Sequence, residues 1–197
     1  MDNQAASAYF SLLGSLLYSE PSVEDIAIIK DQELFLELPF AADNETALKG
    51  QEQMQSWLNS GTSAELASAA KSDWVILLMA IDKVVAPPWG SVYLDREKLL
   101  FTEETLYVRR YYEHYGFELK NKYSEPDDHL GLELQFIAAL LKQDRMEAVL
   151  DFAKTYILSW ICEWSKDVQE HARVDYYRAL ANLAVGGIQS LFEEPSV

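Results

Sequence analysis

The sequence predicts an all-α globule of roughly eight to ten helices. Apolar side chains recur at helical spacing along almost the whole chain. Only 8 glycines and 6 prolines occur in 197 residues, too few for a fold built on many tight turns. No pair of segments alternates convincingly enough to read as neighbouring strands. With 49% hydrophobic and 12% aromatic residues, the chain carries enough apolar surface to order itself around a core.

The elements follow in order. In AASAYFSLLGSLLY, residues Ala6, Tyr9, Leu13, Leu16 and Leu17 form one apolar stripe, and Pro21 ends it. Ser22 caps the next helix, VEDIAIIKDQELFLEL, which Pro39 closes. A third helix starts from an Asp43 cap and stops at Gly61. Thr62 with Glu65 makes a capping box ahead of a fourth, LASAAKSDWVILLMAID. A long irregular segment, 83–101, follows, because Pro87 and Pro88 cannot lie inside a helix. EETLYVRRYYEHY runs from a Thr102 cap to Gly116, and a second loop leads to a helix from near Asp127 to about Lys142. The stretch from Arg145 to Ala172 gives one long or two short helices, and Asp175 caps the last. The glycine pair inside VGGIQ marks a close contact between helices. The chain reads as a single domain over 1–197, with 83–101 as a hinge candidate.

Composition excludes several roles. Sixteen basic against 32 acidic residues leave a net charge of −16, which repels phosphate backbones and anionic membrane surfaces and attracts basic partners. Nucleic acid is therefore not an expected partner. A single cysteine, Cys162, rules out an internal disulfide, and no apolar run approaches a membrane span. The polar, acidic start lacks the basic region of a secretory signal. No phosphate-cradling glycine loop, nucleophile elbow or HExxH pattern is present. His114, His129 and His171 are too scattered for a zinc site, and neither a metal nor a cofactor is expected.

One stretch concentrates chemistry. SEPDDHLGLELQF (124–136) sets Glu125, Asp127 and Asp128 beside His129, ahead of an apolar helix. By pattern it is a helix start, with Asp127 or Asp128 as the cap. Capping alone does not account for three carboxylates beside a histidine. An acid–base pair would need a nucleophile or substrate pocket that the sequence does not supply. Leu130, Leu134, Ile137 and Leu141 on one face read as core. Trp89 and Tyr93, on the irregular segment, either plug the core or line a cleft.

These residues carry a resemblance. APPWGSVYLDRE (86–97), then EPDDHLGLELQF (125–136), with LGSLLYSEP (13–21) before and YYRALANLA (176–184) after, resemble in order and spacing the TorD/DmsD family of redox-enzyme maturation chaperones. The resemblance spans nearly the whole chain. After Trp74 the sequence departs from the family's Leu-Phe-x-Gly-Pro-like element, with Leu78, Ala80 and Asp82 in its place.

The resemblance implies a cytoplasmic, non-enzymatic chaperone. It would bind the precursor of a molybdoenzyme catalytic subunit of the dimethyl-sulfoxide or trimethylamine-oxide reductase type, at its twin-arginine leader or its apo form, before export. It also implies links to guanine nucleotide or molybdenum cofactor, and a monomer or a domain-swapped dimer. Carried over by position, leader binding falls on Trp74, Leu77, Pro88, Trp89, Asp128 and His129, with Tyr18 as a weaker member. Glu125 joins them, and Glu125, Asp127 and Asp128 together are the carboxylates expected to meet the guanidinium groups. The alternative is an all-helical scaffold or regulator that binds another partner helix.

Overall fold

Asp2 starts the first helix by accepting from the backbone N–H groups of Gln4 and Ala5. The structure, a computed structural model, describes residues 2–79, 84–119 and 125–193. The family departures at Ala80 and Asp82, the start of the hinge candidate at Lys83, and Ser124 lie outside those residues.

Helix α1 spans Asn3–Tyr18 and α2 spans Val23–Asp31, the latter opened by a capping box between Ser22 and Asp25. Helix α2 stops well before Pro39. Glu33 turns left-handed at φ +51°, and the Leu34 and Glu33 N–H groups bond back to the carbonyls of Ile29 and Lys30. That pair of bonds is a Schellman stop, which satisfies the last carbonyls without a proline. Helix α3, Glu45–Leu58, is capped by Asn44 rather than Asp43. The Asn44 amide also reaches Glu193 at 2.9 Å, a second bond that selects it over its neighbour.

The capping box of Thr62 and Glu65 opens α4, Ser63–Leu78. The irregular segment holds a short helix, α5, Gly90–Leu94, just beyond the two prolines. Helix α6, Glu103–His114, ends at Gly116, whose φ of +81° suits a residue with no Cβ. Helix α7, Leu130–Lys142, begins later than Asp127 because Asp127 and Asp128 form a turn and His129 is extended. Then come α8, Met146–Phe152, a π turn at Ala153–Ile157, and α9, Ile161–His171, so the long stretch is two helices joined by a π turn. Helix α10, Asp175–Ser190, starts after Val174, and Asp175 pairs with Arg178 instead of capping.

Helix α1 lies along α7, and α10 along α3. Backbone proximity explains both seams. A Cβ on Gly14 would come within 2.6 Å of the Gly131 carbonyl, and one on Gly186 within 2.5 Å of the Ala47 nitrogen. Buried side chains merge into one apolar cluster centred on Phe10, Phe152, Trp160, Trp164, Tyr176 and Tyr177. Among the described residues there is no named strand, and no helix is long and apolar enough to cross a membrane.

Candidate docking site at the start of helix α7

Pro126 lacks an N–H, Asp127 and Asp128 form a turn, and His129 is extended, so the helix does not begin before Leu130. His129 is the cap residue, at φ −73° and ψ 125°, and its Nδ1 accepts from the Gly131 N–H at 3.0 Å. The imidazole thus does the work that the sequence assigns to Asp127 or Asp128. Those two carboxylates are turned elsewhere.

A short strap crosses this turn. The Gly90 N–H bonds to the Asp128 carbonyl at 3.0 Å and the Leu130 N–H to the Pro88 carbonyl at 2.8 Å, pairing Trp89 with His129 as an antiparallel bridge. Asp128 secures the strap through its side chain. Its Oδ2 accepts from the Ser91 N–H at 2.6 Å and its Oδ1 from the Thr105 hydroxyl at 2.7 Å. Arg109 of α6 donates to Asp127 Oδ2 from Nε at 3.0 Å and from its terminal nitrogen at 2.6 Å. The Tyr112 hydroxyl donates to the Asp127 carbonyl at 3.1 Å.

On the solvent side of the strap four side chains meet. The His129 ring stands edge-on to Tyr18 at 5.2 Å and to Trp89 at 5.4 Å. The Trp89 indole N–H donates to Glu125 Oε1 at 3.0 Å. Tyr18, Trp89 and Glu125 are half-buried, so each keeps a face toward solvent. Burial pushes the His129 imidazole down to about 3, which keeps it neutral at physiological pH and able to accept at Nδ1. Burial pushes the Glu125 carboxyl up, and the Trp89 N–H draws it partly back. Burial, and then the charge of Glu125, raise the Tyr18 hydroxyl.

The residues expected at the site divide. Tyr18, Trp89, Glu125 and His129 come together, with Pro88 supplying a carbonyl. Asp128 belongs to the same turn but is 1% exposed and already holds two donors, so its role is to fix the strap. Leu77 is fully buried in the core and offers no surface to a ligand, although its carbonyl accepts from the Ala86 N–H at the base of the strap. Trp74 is half-buried against the core on α4. Tyr93 stacks on Trp160 at 5.5 Å and donates to Asp167, which makes it a core plug, whereas Trp89 lines the surface. Sequence reasoning missed Ser91, Thr105, Arg109 and Tyr112. Each is a partner across the fold, with no local pattern to mark it.

A groove of about 1010 Å³ runs between α1 and α7, lined by Ser7, Ala8, Ser11, Ser15, Gln135 and Ala138 among others. Its upper end at Ser15 is about one helical turn from Tyr18. No group of three or more His, Cys, Asp or Glu side chains among the described residues is placed to hold a metal ion.

The all-helical fold is shared with a solved structure from Archaeoglobus fulgidus that is described as a redox enzyme maturation protein, with a TM-score of 0.55 at 20% identity, over 89% of this chain and 90% of that one. The chain belongs to the nitrate reductase delta subunit family, whose family model matches residues 40–166. The DmsD protein of Haemophilus influenzae, named as a Tat proofreading chaperone, is 26% identical over 94% of this chain and 89% of its own. The chaperone protein TorD of a Shewanella species is 26% identical over 95% and 92%. The chain is a chaperone of this family and not a catalyst.

Proposed function

We propose that the chain is a cytoplasmic chaperone that captures the twin-arginine leader of a molybdoenzyme precursor at the Tyr18–Trp89–Glu125–His129 cluster. Names of the relatives support the client class. The observation that carries the site is the bridge between Trp89 and His129, which brings the two motifs of the sequence into one turn.

The chemistry suits a cationic peptide. Glu125 is the half-buried carboxylate of the motif, and a guanidinium can displace the neutral indole N–H with a stronger, charge-assisted bond. Trp89 and Tyr18 offer ring faces to the second arginine, each worth about 0.5–1 kcal/mol at a solvent-facing site. Along its middle the groove between α1 and α7 is lined by the small side chains Ser7, Ala8, Ser11, Ser15 and Ala138, with Gln135 and Lys142 beside them, so a helical segment following the arginines can approach the backbone there. Ordering such a peptide costs about 2–5 kcal/mol, and micromolar affinity, about −8 kcal/mol, is the expected balance.

Titration calorimetry with a synthetic peptide, two adjacent arginines followed by an apolar segment, tests the reading. Binding that is lost when both arginines become glutamine supports it. Equal affinity for the two peptides overturns it.

A further inference from the structure

Four carboxylates surround the start of α7, and three of them have donors. Asp127 has Arg109, Asp128 has Ser91 and Thr105, and Glu125 has Trp89. The fourth is Glu133, one turn along the helix from His129. It is 0% exposed, and neither of its oxygens meets a hydrogen-bond donor among the described residues. The Ser91 hydroxyl, on the strap, is likewise buried without a partner.

An ionised carboxylate in that state would be strongly unfavourable, so the group must be a neutral acid while the strap is closed. Its surroundings agree. Asp128 is the charged group whose field acts on it, and a second negative charge beside a first is disfavoured. From α6 it is faced by the Tyr112 hydroxyl, itself held protonated chiefly by burial and further by the Asp127 and Asp128 charges. The Arg109 guanidinium of the same helix is engaged with Asp127. On its own helix the preceding titratable group is His129, which is neutral. Among the described residues no donor, cationic or neutral, stands within hydrogen-bond reach of the Glu133 carboxyl.

We propose that Glu133 is kept protonated beneath the strap and gives up its proton when a cationic partner opens the Trp89–His129 bridge, so that capture of that partner releases a proton. The step is simple in its balance. The O–H bond of Glu133 breaks, the electron pair stays on the carboxylate, and the proton passes to solvent. The guanidinium keeps its own protons and gains an anion. The inference rests on the leader-binding reading for the identity of the cation, whereas the protonated state of Glu133 does not.

Two measurements keep these apart. The first is titration calorimetry of the wild type and Glu133→Gln with the twin-arginine peptide, in buffers of unlike ionisation enthalpy at neutral pH. The wild type is expected to release up to about one proton per peptide, and the variant none, with binding retained. Equal proton counts in both proteins, with both binding, overturn the coupling. The second is urea unfolding across a pH series without peptide. A carboxyl held protonated when folded binds more protons than it does unfolded, so its contribution to stability falls as pH rises above about 4.3. Glu133→Gln, the near-isosteric variant, is expected to flatten that fall, and Glu133→Leu to do the same if the amide disturbs folding. Identical pH profiles in wild type and variants overturn the buried acid outright. If the peptide does not bind at all, the leader reading and the coupling both fail, and the unfolding series alone decides whether the acid is there.

Discussion

At the scale of single residues, His129 and Asp128 are neighbours with separate jobs. His129 caps α7 with a neutral ring, and the same burial that keeps it neutral makes it sensitive to acid. Its folded value of about 3 lies below the unfolded value of about 6.5. The unfolded chain therefore binds the extra proton between those limits. The stability contribution is complete above about pH 6.5 and is lost as pH falls, by about 1.4 kcal/mol for each unit. His129→Asn retains a cap acceptor and cannot titrate. Urea unfolding between about pH 4.5 and 7 is expected to show a shallower acid loss in that variant than in wild type. Asp128 acts through the strap. Asp128→Ala strands the Ser91 N–H and the Thr105 hydroxyl, at a cost of roughly 1–3 kcal/mol for each buried donor left without an acceptor. Asp128→Asn keeps an acceptor and is expected to cost less, with the order of the two visible in their denaturation midpoints.

Among the elements, the seam between α1 and α7 positions the site. Tyr18 is the last residue of α1, and His129 precedes the first of α7, so their contact depends on how closely the helices approach. Gly131 allows that approach, since a Cβ there would meet the Gly14 carbonyl at 2.8 Å and the Tyr18 backbone nitrogen at 2.9 Å. Because those neighbours are backbone, they cannot swing away. Gly131→Ala is expected to lower stability by about 1–3 kcal/mol, as overpacking does, and to weaken peptide binding further by separating Tyr18 from His129. Thermal unfolding and calorimetry on the same variant check both parts. A variant with unchanged melting temperature would show the seam to be looser than the packing implies.

For the whole molecule, the charge of −16 attracts cationic clients at long range, and net attraction does not by itself choose the site. Only carboxylates that meet the client should change how affinity responds to salt. Glu125→Gln is expected to reduce affinity several-fold and to flatten its dependence on ionic strength. Asp128→Asn is expected to reduce affinity while leaving the salt slope close to wild type, because its carboxylate is held inside the strap. Isothermal titration across a salt series separates the two. Matching slopes for wild type and Glu125→Gln would remove Glu125 from the interface.

Much was legible in the chain alone, and for a physical reason: it was local. Helical periodicity, the capping boxes at Ser22 and Thr62, the Gly116 stop and the glycine pair near the C-terminus all express forces acting within a few residues. The all-α fold and the order of its helices follow from them. The stop after Asp31 was not legible, because a left-handed glutamate is set by the turn it completes rather than by its own preference. The same holds for the caps at Asn44 and His129, where a neighbour could have served equally until distant partners chose. At the candidate site, the sequence singled out Tyr18, Trp74, Leu77, Pro88, Trp89, Glu125, Asp128 and His129, and tertiary structure brings Tyr18, Trp89, Glu125 and His129 together. Tertiary structure decided that Asp128 faces inward to Ser91 and Thr105, that Leu77 is core, and that Glu133 is buried without a donor among the described residues. Those outcomes depend on which side chains meet across the α5, α6 and α7 junction. Burial and hydrogen bonding there are pairwise properties of segments far apart in the chain, and a linear pattern does not encode them.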